Sequence, residues 1–160
     1  MLLVGLVVYF NMRDSAQVAT SPSIFATKND GFGARIDPPV AALKTAERFV
    51  AAAVLRKDLE TAWALSSPSV RGTYTKEKWL TGSIPVVPYP GKEFAEARYR
   101  VSRAFERQIV LYVLMTPTKG AEVSPQTFVI KLEPAAGAKG RWLVSYWAPA
   151  GGSPPIPATP

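Results

Sequence analysis

The order of the hydrophobic patterns along this chain is the feature that most constrains its fold. Apolar residues recur with helical spacing over residues 38–81, and they alternate with polar residues over residues 92–148. Helices followed by a run of strands are typical of α+β domains, in which helices cover one side of an antiparallel sheet. The pattern therefore predicts an α+β domain with its helices in the first half and its sheet in the second.

One long helix and two short helices are predicted before the sheet. The long helix starts at Asp37, whose carboxylate can cap free amide groups ahead of two prolines, and it runs to about Leu55. Two short helices are predicted over 59–65, capped by Asp58, and over 75–80. The apolar stripe of the long helix is predicted to contain Val40, Leu43, Ala46, Phe49, Val50, Ala53 and Val54, with Lys44, Glu47 and Arg48 opposite.

Four strands are predicted over 93–105, 108–116, 127–133 and 141–148, and residues 84–87 are a candidate fifth strand. The second strand is apolar on both sides, as expected for a strand inside a sheet. The connections between the strands are short and polar, so consecutive strands are expected to pair antiparallel. Trp63 and Trp79 lie on the apolar sides of the short helices and are interpreted as core residues.

The two ends of the chain differ in composition from the middle. Residues 2–10 form an apolar run, about half of the roughly 20 residues that a membrane-spanning helix needs. We interpret residues 1–13 as the outer end of a membrane anchor that begins upstream; a short buried strand or helix is the alternative. Residues 14–36 are interpreted as a linker, 37–148 as the folded domain and 149–160 as a disordered Pro-rich tail. This organisation predicts a domain held outside the cytoplasmic membrane by one N-terminal anchor, and Arg13 just beyond the run keeps a cytosolic location open.

The composition excludes several classes of chemistry. The chain has no histidine and no cysteine, which removes Ser-His-Asp catalysis, thiol chemistry and the commonest zinc, iron and copper ligands. Its 12 acidic residues are scattered and form no calcium-binding loop. No metal and no cofactor are therefore predicted. The net charge of +7 favours anionic partners in general.

The succession of these elements resembles the nuclear-transport-factor-2-like superfamily, which includes ketosteroid isomerase, polyketide cyclases and many tethered envelope domains of bacteria. The resemblance rests on the segment KDLETAWAL at 57–65, the surrounding helices and a strand that opens with GRWLV at 140–144. It covers about residues 38–148. It implies a cone, in which a curved antiparallel sheet of four to five strands packs on one long and two short N-terminal helices, with a pocket at the open end. It also implies a homodimer through the open face of the sheet as one option.

No catalytic residue is predicted from the resemblance. Cyclase members use a His-Asp pair, which this chain lacks, and isomerase members need an inward carboxylate beside a tyrosine. The strand acids Glu96 and Glu133 fall on the polar face, and Glu106 flanks a turn.

A basic cluster on the first strand is the candidate binding site. Arg98 and Arg100 share a strand face because side chains two residues apart point the same way. Nucleic-acid binding is not expected, since only Phe94 supplies an aromatic ring among the exposed basic residues. A solvated face balanced by neighbouring glutamates, with the tyrosines as packing residues, is the alternative interpretation. The proposed ligand- or partner-binding residues are Arg98, Arg100, Arg103, Tyr99 and Tyr112.

These observations support two hypotheses of function. The first is a non-catalytic, membrane-tethered domain that docks a partner protein or an envelope component outside the cytoplasm, as a free module or as a subunit of a larger assembly. The second is a small-molecule enzyme or binder of the isomerase or cyclase kind that uses the cone pocket.

Overall fold

The computed structural model describes residues 31–151 as helices followed by an open antiparallel sheet. The strands pair in chain order, β1 with β2, β2 with β3 and β3 with β4. The predicted α+β class and antiparallel meander are confirmed. The predicted anchor, most of the predicted linker and the tail from residue 152 lie outside the described residues. The elements are α1 (Val40–Phe49), α2 (Leu59–Leu65), α3 (Pro68–Arg71), α4 (Lys76–Leu80), β1 (Phe94–Phe105), β2 (Gln108–Pro117), β3 (Gln126–Pro134) and β4 (Trp142–Pro149).

The long predicted helix begins later than expected and changes pitch before it ends. Pro39, not Asp37, precedes the first helical residue, and no side chain caps this end, so the prediction for Asp37 was wrong. Val40 is 65% exposed, so the prediction that it belongs to the buried stripe was wrong. Residues Val50–Val54 form a π-helical turn. Arg56 then adopts a positive φ of 56°, and its guanidinium donates to the carbonyls of Ala53 and Val86, which ends the helix.

The short helices are set by their caps. The Asp58 carboxylate accepts a hydrogen bond from the Thr61 amide at 3.0 Å, and the Thr75 hydroxyl accepts one from the Lys78 amide at 3.3 Å. Both helices were predicted at these positions. The single turn α3, with Pro68 at its first position, was not predicted.

The four strands lie within one residue of their predicted bounds. Two irregularities interrupt the pairing of β1 with β2, one between Phe94 and Glu96 and one between Val101 and Arg103. The second shifts the alternation by one residue, so that Ala104 is buried where the sequence pattern placed Phe105. The candidate fifth strand at 84–87 does not form. The Val86 carbonyl accepts from Arg56 and the Val87 carbonyl accepts from the Trp147 indole, so neither joins a strand ladder.

The hydrophobic core lies between the helices and one face of the sheet, which we call the inner face. Phe128 of β3 and Trp147 of β4 stack with their ring centroids 4.5 Å apart, and Phe49 of α1 lies 6.1 Å from Trp147. Trp79 is fully buried, donates to the Leu59 carbonyl and packs edge-to-face on the half-buried Trp63. The prediction that both tryptophans belong to the core is confirmed for Trp79, and Trp63 packs against that core. The β2 residues Ile109, Leu111, Val113 and Met115 and the β3 residues Phe128, Ile130 and Leu132 form the sheet side of the core.

Candidate functional site

A depression of about 410 Å³ lies on the opposite side of the sheet, which we call the outer face. Most of its lining residues lie between the core positions of the strands, and their side chains point away from the helices. Antiparallel pairing sets Arg98 opposite Leu114 and Arg100 opposite Tyr112, and Leu114 lies opposite Thr127 of β3. We call this site the Arg–Tyr depression; its lining residues are Arg98, Tyr99, Arg100, Tyr112, Leu114, Thr127 and Ala150.

The chain crosses one end of the depression just after β4. The Ala150 amide donates to the Thr127 carbonyl at 2.8 Å, which extends the contact between β3 and β4 past their last residues. Ala150 thereby becomes part of the lining. The depression is thus built from β1, β2, β3 and the residue that follows β4.

The two arginines of the depression have different partners. Arg98 forms a salt bridge with Glu96 at 2.8 Å, with the Arg98 side chain 66% exposed. Arg100 lies over the Tyr112 ring, with its guanidinium carbon 5.5 Å from the ring centroid. Within residues 31–151, Arg100 forms no salt bridge. Its charge is therefore available to an anion, while the aromatic ring holds the guanidinium in place.

Four of the five predicted binding residues come together in this depression, and Arg103 does not. Arg103 lies beyond the bulge after Val101 and pairs with Val110, whereas Arg100 pairs with Tyr112. Tyr99 differs from its neighbours because alternation directs its side chain to the inner face. There it packs against the core and its pKa is raised, mainly by burial and further by the nearby Glu47 carboxylate.

The sequence alone did not single out Leu114, Thr127 or Ala150. Leu114 and Thr127 belong to different strands, and only the register between the strands places them beside the arginines. A cross-strand register depends on where turns and bulges fall, which the hydrophobic alternation of one strand does not encode.

The inner face also contains a carboxylate near a tyrosine. Glu47 was predicted to lie on the polar side of α1, but it is half-buried near Tyr99, so that prediction was wrong. Burial raises the pKa of Glu47, and Lys44 partly opposes this shift. The two side chains form no hydrogen bond with each other in the structure.

A second carboxylate, that of Glu93, lies near the buried Tyr89 just before the start of β1. Tyr89 is 2% exposed, and neither its hydroxyl nor the buried Glu93 Oε2 atom has a hydrogen-bond partner among the described residues. Burial and the Glu93 charge raise the pKa of Tyr89. The Tyr89 ring packs edge-to-face on Phe94, which identifies its main role as packing beneath the start of β1.

Within residues 31–151, no group of three or more acidic side chains is arranged to hold a metal ion. None of these described residues forms a helix that is long and apolar enough to cross a bilayer. The lining of the Arg–Tyr depression contains cationic, aromatic, aliphatic and hydroxyl groups and no carboxylate. This combination can bind an anion beside an apolar group, and it supplies no general base.

Comparison with models of protein families, with curated proteins and with solved structures gives no match to this chain.

Proposed function

We propose that residues 37–148 form a non-catalytic docking domain that binds a partner protein through the outer face of the sheet. The observation that carries this proposal is the Arg–Tyr depression, where the unpaired guanidinium of Arg100 lies over Tyr112 beside the apolar side chain of Leu114. Arginine and tyrosine are enriched at protein interfaces because each combines a large apolar surface with directional hydrogen bonding. The chemistry favours a partner segment that joins acidic and apolar side chains.

Binding is favoured over catalysis by the contents of the two faces. The inner face is occupied by its own large side chains, with Phe49, Trp79 and Phe128 fully buried. The lining of the outer depression contains no carboxylate, lysine or histidine, the side chains that most often transfer protons in enzymes. This composition suits the recognition of charge and shape.

Binding of a small molecule is the second candidate. The volume of the depression falls within the roughly 300–1,000 Å³ typical of ligand pockets. The Glu47 and Tyr99 pair on the inner face also resembles the carboxylate and phenol of an isomerase site. An anionic small molecule with an aromatic ring would suit Arg100 and Tyr112.

The finer fold assignment and the cellular setting are part of the proposal. We propose a cone of the nuclear-transport-factor-2-like kind, supported by the succession of a long helix, short helices and a four-stranded meander. We further propose that an N-terminal membrane segment tethers the domain outside the cytoplasm, as the apolar run at residues 2–10 suggests. In this setting the partner is a membrane or envelope protein, and a homodimer through the outer face is an alternative occupant.

A photo-cross-linking residue in place of Tyr112 would test the docking proposal in intact cells. Tyr74 offers a matched control, since it also lies under a cation, Lys78, but on the helical side of the molecule. We expect a discrete protein adduct from position 112, its loss when Arg98→Glu and Arg100→Glu are added, and no such adduct from position 74. Identical adducts from both positions, or none from position 112, would contradict the proposal. A gain in mass below about 1 kDa would support the small-molecule alternative instead.

A further inference from the structure

The two edge strands of the sheet, β1 and β4, are covered to different extents by other parts of the chain. Edge strands carry unpaired N–H and C=O groups that can pair with another extended segment. At the β4 edge, Val144 forms a parallel bridge with Ser66, and its carbonyl accepts from the Ser67 amide at 2.8 Å. Ser69 and the side chain of Arg141 add contacts between the α2–α3 region and β4. The first half of the β4 edge, up to Ser145, is therefore covered.

Among the described residues, contacts to the β1 edge are confined to its C-terminal end. Arg35 forms a bridge with Phe105, the Ile36 amide donates to the Ala104 carbonyl, and the Glu106 amide donates to the Ala34 carbonyl. For residues 95–103, no described segment pairs with β1 on the side away from β2. Within residues 31–151, about nine residues of main chain are thus open at this edge.

The open edge has the length and limits of a strand-binding site. The irregularities at Phe94/Glu96 and at Val101/Arg103 lie at its two ends, and the register with β2 is regular from Glu96 to Val101. Bulges and charged side chains also protect edges against uncontrolled pairing. The open edge has a net positive charge, because Arg98, Arg100 and Arg103 are all exposed and one carboxylate, Glu96, lies on the same strand face and pairs with Arg98.

The charge of this edge decides between two occupants. A second copy of the chain, pairing β1 with β1, would bring the arginine rows of both copies side by side, and like charges on neighbouring strands destabilise a sheet. A segment with acidic side chains at alternate positions would instead set carboxylates beside Arg98 and Arg100 on the outer face. Carboxylate–guanidinium pairs are among the stronger charge-assisted hydrogen bonds.

We propose that residues 95–103 of β1 accept an acidic, extended segment of the partner protein as an added strand. Main-chain hydrogen bonds to the open edge supply the alignment, and alternate carboxylates pair with Arg98 and Arg100 at the rim of the Arg–Tyr depression. This inference rests on the proposed docking function and specifies its partner chemistry and its geometry.

Backbone methylation of a probe peptide can separate strand addition from general charge attraction. The probe is a nine-residue, end-blocked peptide of sequence Thr-Val-Glu-Val-Glu-Val-Glu-Val-Thr, titrated against the full chain. In an added strand only alternate amides face the host, so two peptides N-methylated on the two alternate sets of central residues have the same charge and composition. We expect methylation of one set to raise the Kd at least about tenfold, a cost of about 1.4 kcal/mol. Methylation of the other set should raise the Kd less than about twofold.

Site variants and the protein's own amide signals locate the binding. We expect the largest NMR shifts at the amides of residues 95–103. We also expect Arg98→Glu with Arg100→Glu to abolish binding, whereas Lys44→Glu with Arg48→Glu on the exposed side of α1 makes the same charge change and leaves the Kd within about threefold, the change expected from long-range attraction alone. Circular dichroism checks that each variant is folded.

Two results would overturn the inference. One is equal binding of both methylated peptides, which would show charge attraction without main-chain pairing. The other is a dimer of the free chain, seen by sedimentation, that the peptide does not dissociate and in which β1 amides are protected. The proposed docking function is tested separately by the cross-linking experiment. If position 112 still gives a protein adduct after either of these results, a partner binds the outer face in another geometry.

Discussion

The inner and outer faces of the sheet share the same strands but differ in what fills them. On β2 from Ile109 to Met115 and on β3 from Phe128 to Leu132, the inner residues are completely buried and entirely apolar. The outer residues of the same strands are half-buried and include Tyr112, Thr127, Lys131 and Glu133. Residues next to each other in the chain therefore serve different purposes. The inner face holds the helices and the sheet together, and the outer face offers mixed polar and apolar surface to a partner.

Two cations of the outer face, Arg100 and Lys131, are supported by aromatic rings, whereas Arg98 is paired with the Glu96 carboxylate. Arg100 lies over Tyr112 and Lys131 over Tyr146, with the latter cation 4.8 Å from the ring centroid. A cation over a ring keeps its full charge, whereas a cation in a salt bridge is partly neutralised. The outer face is thus ordered without losing its attraction for anions.

Truncation of matched aromatic residues should separate the two faces most clearly. We expect Phe128→Ala to lower the free energy of unfolding by about 3–5 kcal/mol, because it empties a fully buried site stacked on Trp147. Tyr112→Ala on the outer face should cost about 1–2 kcal/mol, since this ring is only half-buried. Urea denaturation of both variants measures the difference. Equal losses would show that the outer face is as much a part of the core as the inner face.

A smaller change tests the polar contact of the inner face. Trp147→Phe keeps an aromatic ring in the core but removes the indole N–H that donates to the Val87 carbonyl at 3.0 Å. We expect a loss of about 1–2 kcal/mol, from an unpaired carbonyl and a smaller ring. The neighbouring Tyr146→Phe, at a 43% exposed position on the outer face, should change stability by less than about 0.5 kcal/mol. A larger effect at Tyr146 would contradict the assignment of that side chain to the solvent face.

The half-buried Glu47 should give the inner face a pH dependence of defined sign. Burial raises the pKa of Glu47 above its ordinary value of 4.5, so the folded state holds this proton more tightly than the unfolded state. The free energy of unfolding therefore falls, through the ionisation of Glu47, as pH rises from about 4.5 through the pKa of this group in the folded state. We expect Glu47→Gln to be more stable than the unaltered chain above that window, with a flatter pH profile.

Asp58 is the control of opposite sign for this measurement. Hydrogen bonds from the Thr61 hydroxyl and amide lower the pKa of Asp58, so its stabilisation is present above its ordinary value of 3.8 and is lost as pH falls through the folded pKa. We expect Asp58→Asn to be less stable at neutral pH and to lose less stability in acid. Denaturation midpoints measured between pH 3 and pH 8 distinguish the two variants. A Glu47→Gln variant that is less stable at neutral pH would show that the carboxylate is favourably paired.

The strands and the short helices could be predicted because their signals are local. Alternation and turn residues marked each strand to within one residue, and Asp58 and Thr75 marked the starts of two helices. The start of α1 and the exposure of Val40 were missed because the helix begins at Val40, three residues after the expected cap Asp37. The side of Glu47 was missed because helical spacing does not show where a second element, here the Tyr99 side of β1, approaches.

The candidate site could be predicted only in part. Arg98 and Arg100 share a face by simple alternation, and the sequence was sufficient to pair them. Leu114 and Thr127 required the strand register, and the exclusion of Arg103 required the bulge after Val101. Such features depend on contacts between distant parts of the chain, which no single window of sequence contains.

The bridge between Ser66 and Val144 also constrains how the chain can fold during synthesis. The bridge joins residues 78 positions apart in the chain. Until β4 leaves the ribosome, α1 lacks the strand that it contacts most, and its core residue Phe49 lacks its partner Trp147. Long-range contacts of this kind slow folding, because a large loop must close before they form. A nascent chain halted before residue 142 is thus expected to leave its helices open to chaperones and proteases.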